Sequence, residues 1–343
     1  MFKRPHLRAA KRLVNAPLAL SLLFLATACG PGPGAVDTDP AEAAVDSADR
    51  PLESGDSRDS GGLILPAVWQ TNDLGTPISS VAVAGALGST VAVTFADGGL
   101  QFLDLEGERI TEKADMDVAQ VADGRFLMLQ GTPVTVFPGI TSDGDLSLFL
   151  HGGELPEPLP YPLDSGTDER IEGVCSAPPV TESDGVMRIG FWTRGARREL
   201  KTGRLVEVGE NLVLLLNEPV PAARDISACM LSETQAFVYS DPAIAAVELQ
   251  NRSKIYRFLL DDLGGYSLTT SDGAVQAFSV SDGITVRPPA RPVDMAGTGD
   301  ARGGGYPGGV LVIGGQSANG AHMVTFIDPS RVTLEPFGYA PSP

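Results

Sequence analysis

The sequence predicts an all-β chain built from repeated antiparallel hairpins, and three observations carry that prediction. The first is a pair of matching segments, Thr94-Phe-Ala-Asp-Gly-Gly-Leu-Gln-Phe-Leu-Asp-Leu105 and Thr269-Thr-Ser-Asp-Gly-Ala-Val-Gln-Ala-Phe-Ser-Val280. Each reads as strand, tight Asp-Gly turn, strand, because glycine accepts the positive φ that such a turn needs. A third, more worn copy is Val238-Tyr-Ser-Asp-Pro-Ala-Ile-Ala-Ala-Val-Glu-Leu249. The second observation is composition: 40 glycines and only 20% charged residues in 343 suit many short strands joined by turns. The third is that no segment keeps a helical period over three turns.

Alternation and turn residues mark six strand pairs. They are Thr90–Leu105 about Asp97-Gly98, Arg125–Phe137 about Gly131-Thr132, and Val186–Leu200 about Arg194-Gly195. The rest are Gln235–Leu249 about Asp241-Pro242, Tyr266–Val280 about Asp272-Gly273, and Val310–Ile327 about a longer Gly314–Gly320 loop. The widest gap between turns holds the Pro-rich stretch Leu155–Pro162, which reads as a loop insertion. A recurring hairpin is the mark of a repeat architecture. Six units of blade size predict a six-bladed β-propeller, with five and seven blades as the neighbouring counts. A β-sandwich is the competitor, but its strands would not recur with a matched turn sequence.

Two segments precede the predicted propeller domain, which spans residues 61–343. Residues 1–28 read as an export signal. Lys3, Arg4, Arg8, Lys11 and Arg12 form its basic region, and the apolar run Leu13–Ala28 is too short for a spanning helix. The run ends in Ala26-Thr27-Ala28-Cys29-Gly30, which resembles the bacterial lipobox and implies acylation of Cys29. Acyl chains on one residue anchor a protein to a membrane face without a spanning segment. Gly30 after the cysteine points to the outer membrane, facing periplasm or cell surface. Residues 29–60 form an acidic tether with eight carboxylates and almost no large apolar side chain. Such a segment cannot offset its ordering entropy and is expected to be disordered.

Removing the signal takes away five basic residues and no acidic one, so the mature chain is still more negative than the full chain at −18. That charge argues against nucleic acid as a partner. Cys175 and Cys229 remain in the folded part. They either bridge in an oxidising compartment or stay as buried thiols. Their matched places in adjacent repeats, at the ends of Arg170-Ile-Glu-Gly-Val-Cys175 and Arg224-Asp-Ile-Ser-Ala-Cys229, favour the thiols, since equivalent positions on neighbouring blades tend to exceed bridging distance.

Spread over residues 61–335, several segments resemble the calcium-dependent β-propeller phytases, in the order that family has them. They are Pro66-Ala-Val-Trp69, Asp97-Gly-Gly-Leu-Gln-Phe-Leu-Asp-Leu-Glu-Gly107, Arg170-Ile-Glu-Gly-Val174, Asp261-Asp-Leu-Gly-Gly-Tyr-Ser-Leu268 and Tyr306-Pro-Gly-Gly-Val-Leu-Val312. The resemblance implies a ring of carboxylates holding several Ca²⁺ ions, hard cations that activate water and neutralise a substrate phosphate. Most of that ring is replaced here. Gly61-Gly-Leu-Ile-Leu65 stands where the family has an Asp-rich stretch, and Ala96 and Asp97 stand for its lysines. Ile226-Ser-Ala-Cys-Met-Leu-Ser232, Tyr239-Ser-Asp-Pro242 and Gly264 stand where further acids are expected. Glu172 survives, with Asp168 and Glu169 beside it.

One or two carboxylates do not assemble a multi-calcium site. The expectation is therefore a lipid-anchored, catalytically degenerate propeller of the bacterial cell envelope. It would act as a binding or scaffold module for an envelope protein or a phosphorylated small molecule. The alternative is a divergent calcium-dependent 3-phytase, a phosphomonoester hydrolase. Glu172 and Asp262 would then be its catalytic carboxylates, and Glu172, Asp168, Asp241 and Asp262 would surround the metal. No cofactor other than Ca²⁺ is implied, and no second domain within the 343 residues would supply the missing ligands.

Other chemistry is weaker. His151 and His322 lack zinc-ligand spacing. Gly315-Gln-Ser-Ala-Asn-Gly320 lacks the spacing and context of a nucleophile elbow and reads as a hairpin loop. Gly297-Thr-Gly-Asp-Ala-Arg-Gly303 reads as a flexible loop, not a dinucleotide fingerprint. Asp143-Gly-Asp145 reads as an exposed turn. Arg194, Arg197, Arg198, Lys201 and Arg204 are the main cationic concentration and flank a hairpin tip. A solvated turn is the plain reading, an anion or partner contact the sharper one.

Overall fold

The computed structural model describes residues 63–85, 89–152, 155, 157–178, 185–232, 235–251, 254–270, 273–300 and 305–333. The expected signal, Cys29 and the acidic tether lie outside these residues. Twenty-three strands and one four-residue helix make up the described chain. The chain divides after residue 57 into two units, and every described residue belongs to the second.

Among the described residues the strands form four hydrogen-bonded sheets that divide into six blades around a central channel, each blade starting with the strand that lines it. Strand β1 (Leu63–Gln70) comes first and is set aside until the ring closes. Blade 1 is β2 (Ile78–Gly85), β3 (Thr90–Phe95) and β4 (Leu100–Leu103). Blade 2 is β5 (Gln120–Val121) and β6 (Gly124–Leu129) as one interrupted inner strand, then β7 (Thr132–Ile140), β8 (Leu146–His151) and β9 (Leu159–Pro162). Blade 3 is β10 (Ile171–Ala177), β11 (Met187–Thr193), β12 (Glu199–Val208) and β13 (Asn211–Leu216), with β14 (Val220–Pro221) continuing the outer edge. Blade 4 has only β15 (Ala228–Leu231) and β16 (Ala236–Tyr239). Blade 5 is β17 (Ala243–Asn251), β18 (Lys254–Asp261), β19 (Tyr266–Thr270) and β20 (Val275–Ser281). Blade 6 is β21 (Arg291–Thr298), β22 (Val310–Gln316) and β23 (His322–Ile327), followed by helix α1 (Ser330–Thr333).

Strand β1 closes the ring. Its first half runs parallel to β20 of blade 5, and its second half runs antiparallel to β23 of blade 6, with a register shift between Ala67 and Trp69. The Pro66-Ala-Val-Trp69 motif is thus the switch between two blades.

Period-two alternation produces these sheets. In β18, Tyr256, Phe258 and Leu260 are buried toward blade 6, while Arg257 and Leu259 face blade 4. Apolar clusters fill the seams between blades 1 and 2, 2 and 3, 3 and 4, 5 and 6, and 6 and 1. Phe102, Phe137 and Phe149 are fully buried between blades 1 and 2, each contributing ~2–3 kcal/mol by area removed from water.

Five of the six expected strand pairs are antiparallel neighbours: β3–β4, β6–β7, β11–β12, β19–β20 and β22–β23. Asp272 of the fifth lies outside the described residues. The pair Gln235–Leu249 is a correction. The turn at Asp241-Pro242, a cis peptide, joins β16 to β17, which belong to different sheets. The worn copy is a junction between blades, not a hairpin. The two best-matched segments also occupy unlike places. The Asp97-Gly98 turn joins the second and third strands of blade 1, whereas Gly273 lies between the third and fourth strands of blade 5. Two loop expectations change as well. Leu159–Pro162 of the Pro-rich insertion pairs with β8, and Gly314 and Gly315 are strand residues.

Cys175 and Cys229 form a disulfide with a Cα–Cα distance of 5.8 Å. The preference for free thiols is overturned because both residues sit on inner strands, β10 and β15. Inner strands converge on the channel, which brings matched positions of neighbouring blades within bridging distance.

Candidate functional site

Inner strands all begin at one end of the ring, and the turns between second and third strands lie at that same end. The four sequence-predicted carboxylates all fall there. Asp168 is exposed just before β10, and Glu172 is the second residue of β10. Asp241 is exposed just before β17, and Asp262 is exposed in the turn between β18 and β19. The Asp262 N–H donates to the Pro242 carbonyl at 2.9 Å, so the Asp241 and Asp262 turns touch through backbone.

Glu172 is not free to bind a cation. Its Oε1 accepts from Arg194 Nε at 3.0 Å and from an Arg197 terminal nitrogen at 2.8 Å. Its Oε2 faces Arg197 Nε, also at 2.8 Å, so Arg197 grips the carboxylate with two nitrogens. These contacts, the Arg197 hydrogen bond first, hold the Glu172 carboxyl below the usual range against an opposing effect of burial. Both arginines come from the turn between β11 and β12, which packs over the start of β10. Asp241 adds an attractive field at Arg197. Arg198 of the same turn pairs with Asp225 at 3.0 Å. Three members of the basic run are therefore matched to acids. Among the described residues no three His, Cys, Asp or Glu side chains converge as a metal site. The residues present do not fit the multi-calcium centre that the phytase resemblance implies.

The Glu172-Gly173 pair has a packing reason. A Cβ at Gly173 would stand 2.0 Å from the Trp192 ring, so only glycine lets that indole lie across β10.

The channel holds what sequence reasoning did not single out. A cavity of about 460 Å³ is lined by inner strands of all six blades. Val81, Val83, Val174, Trp192, Met230 and Val247 supply apolar wall, and Asp123 and Asp294 are two of its four carboxylates, with Glu248, Asp300 and the cation Arg125 also in the lining. Asp294 Oδ2 accepts the Val81 N–H at 2.9 Å, and its Oδ1 accepts the Met295 N–H at 2.8 Å. Asp123 Oδ1 accepts the Val83 N–H at 2.8 Å, and the Gly297 N–H also bonds that carboxylate. Inner strands splay around a channel, so their inward N–H groups lack a full partner ladder. The two aspartates fill that need, tying blade 1 to blades 6 and 2.

Each aspartate borders the cavity, yet protein surrounds it. Desolvation pushes Asp123 up to about 7, against the backbone hydrogen bonds. Desolvation also pushes Asp294 up to about 7, and the nearby Asp123 charge adds to it. Near neutral pH each carboxyl is therefore divided between its protonated form, which can donate a hydrogen bond, and its ionised form. The available signal was a lone Asp inside an apolar run, Val121-Ala-Asp123 and Val293-Asp294-Met295-Ala296. Gly297, expected in a flexible loop, is part of this inner layer. His151 stacks on Phe102 with ring centroids 4.1 Å apart.

No protein-family model matches the sequence, and no curated protein does. Among solved structures the chain is similar to AofleA from Arthrobotrys oligospora, at 11% identity and a TM-score of 0.44, covering 77% of this chain and 91% of that one. It is also similar to a six-bladed β-propeller fungal lectin of Aleuria aurantia, at 10% identity and 0.45, covering 78% and 100%. A third is BBS1N in complex with ARL6DN, at 9% identity and 0.47, covering 80% and 100%. The six-bladed assignment rests on the sheets themselves.

Proposed function

We propose that this chain is a binding module, a phytase-like propeller anchored to the outer membrane through Cys29 that does not hydrolyse phosphate esters. The observation that carries the reading is Glu172, whose two oxygens are taken by Arg194 and Arg197. A carboxylate so engaged offers no oxygen to Ca²⁺ unless both guanidinium contacts break. The channel supports binding of a small, uncharged, hydrogen-bonding molecule. Its apolar wall removes ligand surface from water, and Asp123 and Asp294 supply convergent polar groups. A phosphate ester is disfavoured there, because it would add negative charge to a lining that holds four acids, Asp123, Glu248, Asp294 and Asp300, against one cation, Arg125.

Phosphate release from phytate by the mature chain in millimolar Ca²⁺ tests the reading. No turnover above the uncatalysed rate is expected. Calcium-dependent turnover that disappears in Glu172→Ala overturns it in favour of the hydrolase. Radiolabelled palmitate entering the wild-type chain but not Cys29→Ser tests the anchor, and equal labelling removes it from the proposal.

A further inference from the structure

Blade 4 stops after two strands, while blades 3 and 5 on either side carry four. Removing an even number of strands keeps chain direction, so β16 passes directly into β17 through Asp241-Pro242 and the ring still closes. Among the described residues the outer half of this blade is thus missing between two four-stranded neighbours.

Strand β16 pairs with β15 along one edge, and among the described residues no strand pairs with the other. The Ser232 N–H donates to the Gln235 carbonyl, which sets the alternation of the ladder. By that alternation Ala236 and Val238 aim their N–H and C=O groups away from β15, toward the missing strands. The wall on the blade 3 side is largely apolar and partly exposed, with Arg204 and Asn211 at its margins. Leu205 and Leu214 face blade 2, so their alternates Val206, Val208, Val213 and Leu215 face the gap. Of these, Val208 is 56% exposed, Val213 37% and Leu215 44%. In a four-stranded blade 4 those side chains would be covered by its third and fourth strands.

We propose that this gap is a β-augmentation site for an extended strand or hairpin of a partner protein, with alternating apolar residues turned toward Val213 and Leu215. The open edge of β16 lies two strand spacings, about 10 Å, inside the rim set by blades 3 and 5. That depth admits a slender hairpin and excludes a second whole propeller. The chain's own segments outside the described residues have the wrong chemistry. Residues 30–60 are acidic with almost no large apolar side chain, and residues 334–343 carry Pro336, Pro341 and Pro343, which cannot donate to a ladder. Main-chain hydrogen bonds to Ala236 and Val238 would supply affinity, and the apolar wall selectivity. This site is separate from the channel and does not depend on what the channel binds.

The probe is a synthetic peptide with the sequence of residues 266–281, which forms the two outer strands of blade 5 and so has the shape of the missing pair. We expect saturable binding to the mature chain with Kd below about 100 μM, and new amide-exchange protection at Ala236 and Val238. Binding should weaken about tenfold or more in the double variant Val213→Lys, Leu215→Lys, and with a peptide N-methylated at alternate residues. Both substitutions are at exposed positions, so an unchanged melting curve certifies the fold. Absence of saturable binding, or equal binding by the double variant, overturns the proposal. So does a dimer in sedimentation that the double variant dissolves, which gives the gap to a second copy. Protection of Ala236 and Val238 in the free chain, lost in Phe337→Asp with Tyr339→Asp, also overturns it and gives the gap to the C-terminal residues. None of these outcomes bears on phosphate release, so the two readings fail separately.

Discussion

Replacing Asp294 by asparagine should change how stability depends on pH more than it changes stability itself. Asp294 has its carboxyl raised to about 7 by burial and by Asp123. In the unfolded chain an aspartate titrates near about 4. Between those values the native state holds a proton that the unfolded chain has released. Stability therefore falls as pH rises from about 4 to about 7 and is flat beyond it, the reverse of a salt-bridged aspartate. For one such group the loss between about pH 5 and about pH 8 is roughly 2.5 kcal/mol. In a domain of this size that is a fall in Tm of about 5–8 °C. His151, lowered by burial, acts the other way, weakening the fold as pH drops below its ordinary value of 6.5. It is common to both chains, so it cancels when they are compared. Denaturant midpoints for wild type and Asp294→Asn, measured at both pH values, give the assay. Asparagine keeps an acceptor for the Val81 N–H and loses the charge, so the variant's slope should be flatter by about 2 kcal/mol or more. Removing Asp294 also relieves Asp123 of repulsion, which flattens it further. Parallel pH profiles would refute the reasoning, whatever constant offset the substitution introduces.

Three other expectations are independent of that one. Thiol titration of the denatured, unreduced chain should find neither Cys175 nor Cys229, and replacing both by serine should cost about 4 kcal/mol for a bridge spanning 54 residues; two titratable thiols would remove the bridge. Gly173→Ala should destabilise by about 1–3 kcal/mol through its clash with Trp192, measured as a urea midpoint shift, and a neutral outcome would mean the indole has room to move. Glu172→Gln should destabilise above pH 4.5, where the wild-type carboxylate is charged and paired. Because the folded carboxyl lies below its unfolded value, that difference should shrink as pH falls through the folded titration, and a pH-independent difference would argue against the ion pair.

The blade count was legible because turn chemistry and alternation survive sequence drift, yet two of its supports were accidental. Asp97-Gly98 and the Gly273 turn match in sequence while joining different strand pairs, since any tight turn between β strands selects the same residues. Val238–Leu249 looked like a worn hairpin because strand, turn and strand are present. Only the sheet order shows that the two strands belong to different blades. The disulfide was missed for a geometric reason: spacing between blades depends on radius, and sequence position does not reveal that Cys175 and Cys229 sit at the smallest one. At the carboxylate face the sequence named Glu172, Asp168, Asp241 and Asp262 as candidates, and the structure puts all four at one end of the ring. It did not show that the Arg194–Arg198 turn folds back onto Glu172. Asp123 and Asp294 carried a readable sign, a single acid in an apolar strand, but their pairing joins residues 171 apart and needs the closed ring to be seen.

The way β1 closes the ring also fixes how the domain meets a mechanical load. A pull along the chain at Leu63 acts along a strand whose two halves are bonded to β20 and to β23. Ladder hydrogen bonds lie across the strand, so such a pull shears them together; a pull at right angles would part them one after another. Blades 5 and 6 share that load in series, because the switch at Ala67–Trp69 divides β1 between them. A force directed along β1 therefore meets the fold in its resistant direction, with the same strand serving as latch and as handle.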